Sequence, residues 1–122
     1  MNIEFKKDPL IRSFLDSLFI EKGLSKNTIK SYESDLKEFF AWCHNIHKKL
    51  PSKLTSSSIN IYLGYLFNKN IKSSSVNRKL STLKAFYIYL YKQKIILKIP
   101  TEDIETYEWV DWNFTLGNEN MS

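Results

Sequence analysis

Apolar side chains recur at spacings of three and four in four separate stretches of the first hundred residues. That period belongs to helices with one buried side, and it excludes strands over the same windows. The most regular stretch is Val76, Leu80, Leu83, Tyr87 and Leu90, widened by Phe86. A second runs Ile29, Tyr32, Leu36, Phe39, Phe40 and Cys43. The other two are Ile11, Phe14, Leu15, Leu18 and Phe19, and Ile59, Tyr62, Leu63, Leu66 and Phe67. With three Gly and three Pro in 122 residues, the turn chemistry of an all-β fold is missing.

Each stretch carries its own punctuation. Asp8-Pro9 opens the first helix, a capping residue followed by Pro at the first helical position, and Gly23 closes it. Ser25 caps the second, with Thr28 placed to return the bond, and the helix is expected to reach about His47 before "KKLPSKL" breaks the period. Thr55 or a following serine caps the third. Gly64 inside it costs roughly 1 kcal/mol relative to Ala and is expected to mark close packing with a neighbour. The fourth follows "IKSSS". Capped helices joined by short connections predict an all-α, compact four-helix bundle over residues 1–106. A hydrophobic fraction of 43% supplies its core. Residues 107–122 read as a divergent, irregular and poorly ordered tail, either frayed or docked on the bundle as an amphipathic segment.

A net charge of +5 hides an asymmetry. All 18 Lys and Arg lie in residues 1–98 against seven acids, for +11, whereas residues 99–122 hold six acids and no cation, for −6. A hundred-residue segment at that charge attracts polyanions, because each phosphate it neutralises releases counterions. A Lys-rich surface serving solubility is the plainer explanation of the same count. No apolar run approaches the ~20 residues of a membrane span, and no signal-peptide pattern opens the chain. A cytoplasmic protein without membrane contact is the expectation, and the single Cys43 fits it.

Beside two of the apolar stripes lie polar faces of unusual make-up. The second helix presents Lys26, Asn27, Thr28 and Lys30, and the fourth presents Ser74, Ser75, Asn77, Arg78, Ser81 and Lys84. The exposed face of the fourth lacks the Glu–Lys pairs of an ordinary solvated surface. Cations with hydroxyl and amide donors at a helix start suit phosphate binding and base-edge readout in the major groove. The pattern fits a DNA-reading face and an ordinary solvated face equally well. "CHNIH" sets Cys43, His44 and His47 within one turn, but a fourth metal ligand is missing and Cys43 belongs to the apolar stripe. No metal site, cofactor or small-molecule substrate is expected. No tyrosine sits beside an activating group.

"FLDSLFIEKGLSKNTIKSYESDLKEFFAWC" followed by "SSSVNRKLSTLKAFYIYLYKQKII" resembles the N-terminal core-binding domain of XerC/XerD-type tyrosine recombinases. The shared pattern includes "GLSKNT", Tyr32 with Asp35-Leu36, aromatic Phe39 and Trp42, and "RKLSTLKAFYIYL", and it covers roughly residues 8 to 105. Phage and transposon integrases share the domain. The resemblance implies a small SAM-like helical bundle forming half of a clamp around a recombination site. Residues 26–47 and 74–93 would lie against the major groove of double-stranded DNA. It carries DNA contact onto Lys26, Asn27, Thr28, Lys30, Ser74, Ser75, Asn77, Arg78, Ser81 and Lys84, with the firmest match at Thr28 and Arg78. A related recombinase subunit is the further partner implied, and chromosome dimer resolution at cell division is the family's role.

The family's catalytic set (two arginines, a lysine, a His-x-x-Arg pair, a further His or Trp, and a tyrosine nucleophile) belongs to a second, C-terminal domain. Here the only arginines are Arg12 and Arg78, both inside the bundle, and no His-x-x-Arg occurs. Without those cations nothing stabilises the charge that builds as a tyrosine attacks phosphorus. No strand cleavage is therefore expected of these residues. The family pattern continues through "IPTEDIET" and then gives way to "YEWVDWNFTLGNENMS". A truncated gene product, read out of frame beyond about Thr106, is the expectation from that shift. The competing classes are a helical interaction adaptor using Trp109, Trp112 and Phe114, and a remnant that folds without function.

Overall fold

The computed structural model describes residues 9–104, all-helical apart from turns and connections. Helix α1 spans Pro9–Lys22, α2 Lys26–Trp42, α3 Ser56–Asn68 and α4 Ser73–Lys92. The compact four-helix bundle expected from the stripes is present. Asp8, expected to cap α1, lies outside the described residues, as do Trp109, Trp112, Phe114 and the rest of the tail at 107–122.

Two of the predicted caps, Ser25 and Thr55, are in place. Ser25 Oγ accepts from the Thr28 backbone N–H at 3.2 Å, and its own hydroxyl donates to Thr28 Oγ1 at 3.0 Å. Thr55 and Ser58 form a full capping box at the start of α3, each side chain accepting the other's backbone N–H. No side-chain hydrogen bond caps α4, whose N-cap is Lys72. At the other ends the chain turns through left-handed residues, Gly23 after α1, Asn70 after α3 and Lys94 after α4. After α3 and α4 the next two N–H groups reach back to helix carbonyls, as in Ile71 to Leu66 at 3.4 Å and Ile95 to Leu90 at 2.9 Å, which satisfies otherwise orphaned acceptors.

Aromatic rings fill the core in two linked groups. Phe14 meets Tyr32, Phe86 and Tyr89, with centroids 6.0, 5.5 and 5.5 Å away. Phe39 meets Tyr62 at 4.9 Å and Tyr87 at 6.2 Å, so α2, α3 and α4 share one ring cluster. Phe40 packs on Phe86 at 5.7 Å and joins the two. These pairings are mostly edge-to-face or tilted, the arrangement that ring quadrupoles favour.

Four expectations change. Phe19, read as part of the α1 stripe, is 55% exposed. It lies one residue beyond the row of Ile11, Phe14, Leu15 and Leu18, the buried residues of α1. Phe67 at the edge of α3 is also exposed. Gly64 marks no close approach, because a Cβ there would meet nothing within 4 Å. Helix α2 stops at Trp42, and Cys43–His47 form a wider π turn in place of continued α-helix. That turn swings His47 back over Trp42, stacked at 4.7 Å and 11°, with Nε2 3.1 Å from Ser58 Oγ. His47 thus joins the indole and the α3 cap. Among the described residues no group of three His, Cys, Asp or Glu is placed to hold a metal ion, and no helix is long and apolar enough to cross a membrane.

Beyond α4 the chain stays pinned. Ile96, Thr101 and Ile104 are buried, and Ser56 Oγ donates to the Pro100 carbonyl at 3.0 Å.

Candidate nucleic-acid interface

Asp35 sits on α2 one turn before the Phe39 ring, at a position where an apolar residue would complete the stripe. Its side chain is 1% exposed, and a buried carboxylate persists only when its charge and lone pairs are matched. Helix α4 supplies the match. Arg78 donates from Nη2 to Oδ1 at 2.7 Å and from Nε to Oδ2 at 3.3 Å. Lys79 Nζ donates to Oδ1 at 3.2 Å, and the Thr82 hydroxyl donates to Oδ2 at 2.8 Å. Lys79 also reaches Glu38 at 2.6 Å. Two acids on α2 therefore meet two cations on α4, and the network is neutral as a unit. Hydrogen bonding to Asp35 pushes the Arg78 guanidinium further up from its already high range.

Above this network a cleft of about 240 Å³ separates α2 from α4. Thr28, Ser31 and Tyr32 form one wall, and Arg78 and Ser81 the other, over a floor of Asp35 and Thr82. Arg78 is the hinge between network and solvent, its side chain still 53% exposed.

The sequence-predicted positions distribute unevenly around this cleft. Thr28, Arg78 and Ser81 line it. Ser74, exposed one turn before Arg78, shares that side of α4. Ser75 and Asn77 are half-buried at the flanks, and the Asn77 side-chain carbonyl is buried without a hydrogen-bond partner among the described residues. Lys84 is half-buried one turn beyond Ser81. Lys26, Asn27 and Lys30 are exposed on α2. At roughly 100° per residue, Lys26 and Lys30 stand about 160° around the helix from Thr28, so they border a different edge of the bundle. Ser31, Asp35 and Thr82 were not singled out by the polar-face pattern. Asp35 and Thr82 fall at helical spacing from Thr28 and Arg78, but an interaction across 43 and 47 residues leaves no periodic signal.

Comparison with known proteins agrees with this architecture. Residues 11–94 match the family described as phage integrase, N-terminal SAM-like domain. The chain is 40% identical over 96 residues to tyrosine recombinase XerD of Haemophilus ducreyi, covering 79% of this chain and 32% of that protein. It is 33% identical over 106 residues to XerD of Proteus mirabilis, covering 86% and 33%. Tyrosine recombinase XerC of Staphylococcus carnosus is 42% identical over 81 residues, covering 66% and 27%. The chain thus spans about a third of the length of these relatives or less, and matches only their N-terminal part. No solved structure gives a significant match. With its helices, its cleft and these identities taken together, the chain belongs to the phage integrase N-terminal SAM-like domain family, alongside the XerC and XerD tyrosine recombinases.

Proposed function

We propose that the chain binds duplex DNA through α2 and α4 as the core-binding unit of a tyrosine recombinase, and that these residues do not themselves break strands. The observation that carries this reading is the cleft that joins Thr28, in the first turn of α2, to Arg78 and Ser81, in the second and third turns of α4. Free N–H groups at the helix starts and the +11 charge of residues 1–98 favour a polyanion. Lys84, Ser74, Ser75 and Asn77 extend the α4 side of the interface. Lys26, Asn27 and Lys30 at the start of α2 reach a neighbouring stretch of backbone. Cleavage belongs to a catalytic arginine, His-x-x-Arg and tyrosine set that these 122 residues do not contain. A related recombinase subunit is the further partner that the family resemblance implies.

Fluorescence anisotropy across a salt series tests the reading, using a duplex recombination site and a scrambled duplex. Binding should be about micromolar or weaker at physiological salt, with log K falling linearly against log salt. A Lys30→Ala, Lys84→Ala double variant should flatten that slope by about 1.8, corresponding to two phosphates. Flat titrations with folded protein at low salt would count against DNA binding.

A further inference from the structure

Arg78 has five N–H donors, and two of them are committed to Asp35. The bond from Nε and one bond from Nη2 occupy the side edge of the guanidinium. Three donors remain, one on Nη2 and two on Nη1, along the end that faces away from the carboxylate. Asp35 cannot rotate to follow that end. Its oxygens already accept from Arg78, Lys79 and Thr82 in four hydrogen bonds, which fills the acceptor capacity of a carboxylate. The guanidinium plane is therefore set by a buried, saturated group, while Arg78 itself lines the cleft with its side chain 53% exposed.

The surroundings of Arg78 suit an anion with tetrahedral oxygens. Thr28, Ser31 and Ser81 bring hydroxyl donors to the same cleft. Thr28 Oγ1 accepts the Ser25 proton and so keeps its own proton to donate. The carboxylate below does not repel an incoming anion strongly, because Lys79 and Arg78 balance Asp35 and Glu38.

We infer that this cleft seats one backbone phosphate of duplex DNA on the free edge of Arg78, with Asp35 as the positioning residue that fixes that edge and Ser31 as a further donor. The inference rests on the DNA-binding reading above and adds what the site takes and what orients it. Arginine is required because its fork serves a carboxylate and a phosphate at once. A lysine at the same place is a single compact charge, and Asp35 would hold it.

The test is anisotropy with the full chain and a labelled duplex over a salt series, comparing Arg78→Lys, Ser31→Ala and Asp35→Asn. Arg78→Lys leaves the net charge unchanged yet should weaken binding roughly tenfold at low salt and flatten the salt slope by about 0.9. Ser31→Ala should weaken binding severalfold with the slope unchanged, since it removes a neutral donor. Asp35→Asn is the sharpest case. Simple electrostatics has the loss of an acid tighten binding to DNA, whereas loss of positioning weakens it. Circular dichroism establishes that each variant is folded, and if Asp35→Asn does not fold, the two exposed-site variants decide. Wild-type behaviour of Arg78→Lys and Ser31→Ala, or tighter binding by folded Asp35→Asn, would overturn the phosphate seat. If Lys30→Ala, Lys84→Ala weakens binding while Arg78→Lys does not, the seat alone falls and DNA binding stands. If wild-type protein binds no duplex at low salt, both fall.

Discussion

The hydroxyl of Tyr87, a buried residue of α4 whose ring meets Phe39 of α2, donates to the Pro51 carbonyl at 2.7 Å. One hydrogen bond thereby fastens the connector between the π turn and α3 to the C-terminal half of the longest helix. Tyr87→Phe keeps the ring packed on Phe39 and removes only that bond. It should lower stability by about 1 kcal/mol, read as a drop of several degrees in Tm for a domain of this size. An unchanged Tm would mean that the connector is held by packing alone.

Burial also makes the protein sensitive to alkali. Loss of water around the thiol pushes Cys43 up to about 12 from 9.0, and burial, aided by Cys43, raises Tyr87 well above 10. Both groups hold their protons more tightly folded than unfolded. Their contribution is full below pH 9 and is lost as pH rises, at up to about 1.4 kcal/mol per pH unit per group. Denaturation midpoints should be level near pH 7–8 and fall above pH 9. In Cys43→Ala the fall should begin a unit later, near the ordinary range of tyrosine, and an identical profile in both proteins would contradict the assignment.

Glycine to alanine should have opposite signs at two positions. Gly23 has φ +61°, where a Cβ strains the backbone, so Gly23→Ala should cost about 1 kcal/mol. Gly64 lies inside α3 with open space where a Cβ would go, so Gly64→Ala should stabilise by up to about 1 kcal/mol. Thermal melts of the two variants moving in the same direction would refute this account.

The α2–α4 ion network should be asymmetric to mutation. Asp35→Ala leaves Lys79, which is 11% exposed, without its buried partner and should cost about 3 kcal/mol. Lys79→Met fills similar space, and Asp35 keeps Arg78 and Thr82, so the loss should be nearer 1 kcal/mol. Urea denaturation gives both values, and the reverse order would show that Asp35 is not the centre of the network.

Much of the fold was legible because its signals are local. Ser25 and Thr55 cap helices through atoms three residues away, and the stripes from Val76 to Leu90 and from Leu36 to Cys43 follow the helical period. The π turn at Cys43–His47 was not legible, since its residues continue the same apolar and polar alternation as α2. Neither was the exposure of Phe19, which depends on how wide a face the other helices cover. At the site, Thr28 and Arg78 stood out by pattern and by family resemblance. Asp35 entered only as part of the resemblance, because its meaning comes from partners on another helix. The polar-face pattern also grouped Lys26 and Lys30 with Thr28, although a helix places them on different sides.

The Ser56–Pro100 bond, with Ile96, Thr101 and Ile104 buried around it, has a mechanical consequence. A pull applied at Ile104 is not transmitted along the axis of α4. It loads the first turn of α3 instead, across the bundle, and must shear buried aliphatic contacts before it reaches Lys92. The helix that carries Arg78 is thereby shielded from tension arriving along the chain.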